Sequence, residues 1–145
     1  MLEGILKSKL NLYQSDKGSV RQFIRKDSKG FRSFEEIYFS TVNYQQIKGW
    51  KKHTEMTMNL AVPSGEVLFV FFDDRNDSST KDQFYSISLS SSNYFRLTIE
   101  PGLWFAFKGK SKEINLVVNL ANKIHDPKEI ENIDLEEINF NWEST

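Results

Sequence analysis

Short apolar or alternating runs, each ended by a turn signal, recur from residue 36 to residue 120, and a helical apolar period is hard to find before the C-terminus. Alternation of period two puts every second side chain on one face of a strand, whereas a core-facing helix needs apolar residues at three- and four-residue spacing. The chain is therefore constrained to an all-β fold. Strands are expected at Glu36–Val42, Glu55–Val62, Glu66–Phe72, Phe84–Leu89, Phe95–Ile99, Leu103–Phe107 and Ile114–Leu120. Between them stand Pro63-Ser64-Gly65, the polar run Asp73–Asp82 and Pro101-Gly102, where proline presets φ and glycine accepts φ > 0. This spacing suits a sandwich or a closed barrel. With 145 residues, no internal repeat and no linker, one domain spanning residues 1–145 is expected.

Composition narrows the function. A hydrophobic fraction of 39% is enough for a core. The balance of 19 Lys and Arg against 20 Asp and Glu leaves no basic field for phosphate backbones, so nucleic acid is not an expected partner. The absence of cysteine removes disulfides, thiolate nucleophiles and zinc–cysteine clusters. No stretch reaches the ~18 apolar residues of a membrane helix, so membrane insertion is not expected and the cytoplasm is the default location. Residues 126–144 are acidic, with a net of six negative charges, and read as a solvated terminal cap in which Pro127 opens a short helix.

With only His53 and His125, a catalytic transition-metal site is not expected, since such sites gather two or three imidazoles or imidazoles plus carboxylate. The most informative stretch is Lys48–Leu60. Read as a strand, Met56, Met58, Leu60 and Val62 share one face, while Lys51, His53, Glu55, Thr57 and Asn59 share the other. If the polar face looks into a barrel it presents an ammonium, an imidazole, a carboxylate and an amide to a polar ligand. If the methionine face looks inward, the polar face is wet surface. Asn115 and Asn119 interrupt another apolar strand, and either satisfy backbone groups or line a cavity. Trp104, Phe105 and Phe107 read most simply as core, or as a platform for a base or sugar.

Asp27-Ser28-Lys29-Gly30-Phe31, Ile47-Lys48-Gly49-Trp50, Asp73-Asp74-Arg75 followed by Ser78-Ser79-Thr80, Ile99-Glu100-Pro101-Gly102, Phe107 and Ile138-Asn139-Phe140-Asn141-Trp142 come in the order of a known family. Over most of its length the chain resembles the dTDP-4-dehydrorhamnose 3,5-epimerases and related sugar-nucleotide ketoisomerases. The resemblance implies a cupin double-stranded β-helix, or jelly roll, with a short helical or irregular C-terminal segment. It also implies a homodimer that binds a dTDP-sugar or similar nucleotide-sugar without metal or other cofactor, in surface polysaccharide (O-antigen) biosynthesis. In the family's pattern Lys51 stands where a histidine is the base and His125 where a tyrosine is the acid. Phe105 replaces a further histidine and Met58 a supporting lysine, which favours the methionine face pointing inward.

Two functions follow. The first is a metal-free epimerase or ketoisomerase that abstracts a proton beside the keto group of a dTDP-4-keto-6-deoxyhexose. Lys51, His53 and His125 carry the proton transfer, Lys29, Lys48 and Arg75 are candidates for the diphosphate, and Asn59, Trp104 and Asn119 for the sugar or base. The second is a catalytically inactive cupin that binds a nucleotide-sugar or a partner protein. Lys51 and His125 facing each other across one cavity favours the enzyme; either one pointing to solvent favours the binding module.

Overall fold

Twelve strands form two five-stranded sheets and one free-standing hairpin in the computed structural model, which describes residues 1–145. In chain order they are β1 (Ile5–Lys9), β2 (Leu12–Ser15), β3 (Gly18–Arg21), β4 (Glu36–Val42), β5 (Ile47–His53), β6 (Met58–Ser64), β7 (Glu66–Phe72), β8 (Phe84–Ser90), β9 (Phe95–Ile99), β10 (Trp104–Gly109), β11 (Asn115–Ala121) and β12 (Ile130–Asn132). The first sheet has the order β1-β9-β6-β11-β4 and the second β12-β5-β10-β7-β8, all antiparallel. The two pack face to face as the expected jelly roll. Strands β4, β7 and β9 have the expected bounds, while β1–β3, β5 and β12 were not among the expected strands.

Alternate residues of the central strands form the main core. Val67, Phe69 and Phe71 of β7 face Met58, Leu60, Val62, Leu97 and Ile99 of the first sheet. The intervening Leu68 and Val70 look the other way and pack with Trp50, Trp104 and Ala106 under Ile138, with Phe140 and Trp142 against them. A strand buried on both faces reads as an unbroken apolar run, as Glu66–Phe72 does. The acidic terminal segment is thus a cover for the second sheet, which corrects the expectation of a solvated cap. Its charges lie outward except Glu129, which is buried, as is Ile138. Lys108 clips it down, donating from Nζ to the carbonyls of Trp142 (2.9 Å) and Thr145 (3.1 Å). Pro127–Glu129 is a single 3-10 turn with proline in its first positions and Asp126 capping the amide of Lys128.

The Lys48–Leu60 run is not one strand. It ends β5 at His53, crosses between the sheets at 54–57, and begins β6 at Met58. Both faces weighed in the sequence therefore reach the interior, one from each sheet. A bulge in β5 sets which residues do so. Phe105 pairs with Lys51 but Phe107 pairs with Lys48, so Gly49 and Trp50 together oppose Ala106. Directly opposed residues share a face, so this extra residue turns Lys48 and Lys51, three apart, to the same side as Phe105 and Phe107. Gly49 has φ +129°, and a Cβ there would lie 2.6 Å from Ala106 Cβ and 2.8 Å from the carbonyl oxygen of Phe105.

Gly49→Ala is expected to lower the free energy of unfolding by about 2–4 kcal/mol, since it adds a backbone clash to an unfavourable φ. Gly18, with φ +133° and nothing within 4 Å of its Cβ position, supplies the control for φ alone. Urea melts of the two variants separate these effects, and equal losses at both sites would show that packing against β10 carries no weight.

Candidate active site

The sheets splay apart beside β4 and β5, leaving a cavity of about 270 Å³. One wall carries Tyr38, Ser40, Met58, Leu60 and Asn119, and the other carries Lys48, Lys51, His53, Phe105 and Phe107, with Asn132 and Ile133 beside Lys51. Most of the lining is apolar, and a few convergent polar groups interrupt it, which is the usual make-up of a small-molecule site.

His53 is the best-anchored of those polar groups. Its Nδ1 lies 2.5 Å from Glu129 Oε1, and both residues are buried. Glu129 Oε2 accepts the backbone N–H groups of Thr54, Glu55 and Met56 at 3.1, 3.2 and 3.3 Å, and the Thr54 N–H also reaches the Glu129 carbonyl at 2.9 Å, so one residue satisfies the amides of the crossover. Burial pushes its carboxyl up, but the hydrogen bonds from His53 and these amides outweigh that and hold it below the usual range. An ionised acceptor fixes the proton on Nδ1 of His53 and leaves the Nε2 lone pair, which has no protein partner, to the cavity. Burial depresses the His53 pKa, and the nearby Glu129 only partly restores it, so the imidazole is neutral near pH 7. Phe105 stacks on it, with centroids 6.0 Å apart.

On the facing wall Asn119 Nδ2 donates to Tyr38 Oη at 3.0 Å, while Asn119 Oδ1 accepts the backbone N–H of Asn59 at 3.2 Å. Asn115 takes the other role open to a strand amide. Its Oδ1 accepts the N–H groups of Glu66 and Ser111 and its Nδ2 donates to the carbonyls of Val42 and Ser111, so it knits loops together.

Lys48, Lys51, His53 and Asn119 thus meet at one cavity, and the other candidates lie elsewhere. Trp104 has the opposite parity to Phe105 and looks to the outer face, where Nε1 donates to Asp74 (2.8 Å) and Lys52 sits 4.5 Å from its ring centroid. Asn59 turns away from the cavity, accepting from Thr98 Oγ1 at 2.8 Å and donating to the Gly30 carbonyl. Arg75 is held by the buried Asp73, with Nε and Nη2 each 2.8 Å from its carboxylate, and by the Glu3 carbonyl at 2.6 Å. Those bonds and the Ser78 and Thr80 hydroxyls keep Asp73 ionised far below the usual range, although burial opposes it. Lys29 is exposed beside Arg96, on loop 22–31. His125 is exposed in an open groove with Lys123 and Lys128, its N–H donating to Glu36 at 2.7 Å. Lys51 and His125 therefore do not face each other, and that criterion for the enzyme is not met. Glu129 and Tyr38 were not among the sequence candidates. The Tyr38–Ser40 alternation in β4 carried a signal for one face, whereas Glu129 sat in a charge run with nothing local to single it out.

No family model matches the chain. It is 34% identical to the dTDP sugar isomerase of Desulfovibrio desulfuricans G20, with a TM-score of 0.94 over 99% of this chain and 94% of that one. The dTDP-4-dehydrorhamnose 3,5-epimerase of Bacillus anthracis, solved with TDP and pyrophosphate, is 20% identical with a TM-score of 0.83, covering 95% of this chain and 84% of the other, and shares the fold. The probable low-salt glycan biosynthesis epimerase Agl13 of Haloferax volcanii is 23% identical over 81% of this chain and 76% of its own length. The chain belongs to the cupin-fold family of dTDP-sugar isomerases and dTDP-4-dehydrorhamnose 3,5-epimerase-like proteins.

Because the folded protein refuses a proton that the unfolded chain accepts at His53, stability is expected to fall as pH drops through the ordinary imidazole value of ~6.5. Thermal midpoints of the wild type and His53→Gln, compared between about pH 7.5 and pH 5.5, check this, because the substitution removes that part of the slope. An unchanged slope would mean that His53 is not held neutral.

Proposed function

We propose that this protein is a sugar-nucleotide epimerase or isomerase that works by proton transfer beside a keto group, with His53 as the base. The observation that carries this reading is the buried His53–Glu129 pair opening into a sugar-sized cavity, in a chain that belongs to the dTDP-sugar isomerase family. Hydrogens next to a carbonyl are acidic enough for a positioned imidazole to remove. A neutral Nε2 whose opposite nitrogen is anchored to a carboxylate suits that step. The Lys51 ammonium on the same wall stabilises the oxyanion of the resulting enolate, and an apolar lining strengthens the effect. Lys48 is placed for the diphosphate. A dTDP-linked 4-keto-6-deoxyhexose fits this division of labour, with the sugar ring inside and the nucleotide beyond the mouth. Its product serves glycan or polysaccharide assembly.

The reading includes a homodimer. Strand β4 is a sheet edge, and its outward Ile37 and Phe39 are 42% and 65% exposed. The β2–β3 hairpin pairs with neither sheet and exposes Tyr13 and Val20. Unpaired edges and clustered exposed apolar side chains are what a second copy would cover. Phe39→Glu is expected to halve the solution mass measured by light scattering; an unchanged mass places the contact elsewhere.

Incubation with dTDP-4-keto-6-deoxyglucose in deuterated water, followed by NMR at sugar C3 and C5, tests the chemistry. The wild type is expected to wash deuterium into one of these positions, His53→Ala to abolish the exchange, and Glu129→Gln to slow it by about 10²–10⁴-fold. Undiminished exchange in His53→Ala would remove His53 from the mechanism.

A further inference from the structure

Strand β9 alternates between the core and the outside of the first sheet. Leu97 and Ile99 enter the main core, so Arg96 and Thr98 look outward, where loop 22–31 lies over them. Arg96 holds that loop. Its Nη1 donates to the Phe23 carbonyl at 3.1 Å and its Nη2 to the Lys29 carbonyl at 2.6 Å, near the two ends of the loop. Asn59 Nδ2 donates to the Gly30 carbonyl, and a Cβ at Gly30 would stand 2.4 Å from Thr98 Oγ1, so the loop closes tightly on the sheet.

The guanidinium lacks a counter-charge. Arg96 is only 2% exposed, and none of the ion pairs in the protein includes it. Its acceptors are two neutral carbonyls and the Ser8 hydroxyl at 3.5 Å, while Nε has no partner and Nη1 keeps a second hydrogen without an acceptor. Arg75 shows the contrast, since the buried Asp73 neutralises it. Arginine stays protonated in proteins, and a buried charge without a partner is strongly destabilising. Pinning a loop by its carbonyls needs no charge, because Asn59 does it with an amide.

That charge borders a cleft of about 340 Å³ between loop 22–31 and residues 8–11. Lys9, Arg25 and Lys29 line it together with Arg96, and Asp27 is its one carboxylate, so four cations meet one anion in a chain of net charge −1. Asp27 is paired with Arg25 at 2.5 Å, but the two side chains are 69% and 68% exposed, and so open a pair is readily exchanged for a ligand. Ser28 Oγ accepts the Arg25 amide at 2.9 Å, which leaves its hydroxyl hydrogen free to donate. No residue of this cleft lines the cavity between the sheets.

We propose that this cleft is a second ligand site that takes the phosphate group of a small molecule, with Arg96 as its buried counter-charge and Lys9 and Arg25 at its rim. A phosphate carries up to two negative charges and several acceptor oxygens, which match a guanidinium fork backed by further cations. A single carboxylate would leave most of those donors unused. Apolar lining is confined to Leu10, Phe23 and Ile24, so the phosphate and not an apolar body carries the binding. The site is independent of the reaction proposed above.

Calorimetric titrations and thermal midpoints of the full chain, with inorganic phosphate and with glycerol 3-phosphate, test this at fixed pH and at an ionic strength held constant with sodium chloride. Both probes are expected to bind saturably and to raise the midpoint, since a ligand of the folded state alone stabilises it. Lys9→Ala and Arg25→Ala are each expected to weaken binding by about 10-fold, and Arg96→Met to abolish it, while Lys48→Ala in the other cavity leaves it unchanged. If R96M does not fold, the double variant K9A/R25A, altered only at exposed positions, carries the test. Tighter binding of glycerol 3-phosphate assigns the site to an organic phosphate, and equal binding assigns it to free phosphate. Stabilisation that chloride reproduces would overturn the proposal, as would phosphate binding that survives K9A/R25A or is lost in Lys48→Ala instead. No sugar nucleotide enters the assay, so its outcome is separate from that of the deuterium exchange.

Discussion

The Glu129 carboxylate connects most of what matters in this molecule. One oxygen takes the three amides of the crossover between β5 and β6, and the other holds His53. The ladder ends at this corner with the Thr54 amide on the Glu129 carbonyl, and leaving the buried Met56 amide unpaired would cost about 1–3 kcal/mol. A single ionised acceptor solves that problem and so becomes fixed in space. The imidazole inherits its rigidity. The element that ends one sheet and starts the other is thus also the element that orients the proposed base.

The bulge in β5 plays the matching part for the lysines. Strand parity alone would send Lys48 to the outer face with Lys52, where Trp104 and Asp74 receive the latter. One extra residue at Gly49-Trp50 reverses the parity, so two cations and an imidazole line one wall although their spacings are three and two. Trp50 then faces outward and donates to the Leu135 carbonyl at 3.3 Å, anchoring the terminal segment that carries Glu129 at its start.

How much of this was legible follows from the range of the interactions. The strands with clean alternation or continuous apolar runs, β4, β7 and β9, were readable residue by residue because burial on one or both faces writes directly into period two. Strand β5 was not, since a bulge breaks the period and lysines outnumber apolar residues. The tail was misread for a related reason: Ile138, Phe140 and Trp142 alternate inside a charge run, and the charges dominate any window average. Lys51 and His53 were found as members of one polar strand face, Lys51 also by its place in the family's pattern, and Asn119 as a polar interruption in an apolar strand. Trp104 was assigned to the cavity although it lies one residue off the Phe105 and Phe107 parity, and Asn59 for the matching reason on β6. Glu129 acts on a histidine 76 positions away, and no local pattern encodes such a partner.

The terminal segment is pinned at several points, by Lys108 at its far end, by Trp50 in the middle and by the Glu129 clasp at the start. It contributes a three-residue strand and two single 3-10 turns, far less hydrogen-bonded backbone than either sheet. Segments of that kind open at lower free energy than the body they cover. Opening this one withdraws the carboxylate from His53 and strips the edge strand β12 from the second sheet, while the remaining strands stay paired. The proposed base is therefore assembled by a docking equilibrium of the chain upon itself, and its lifetime in working order is the lifetime of that attachment, shorter than that of the fold.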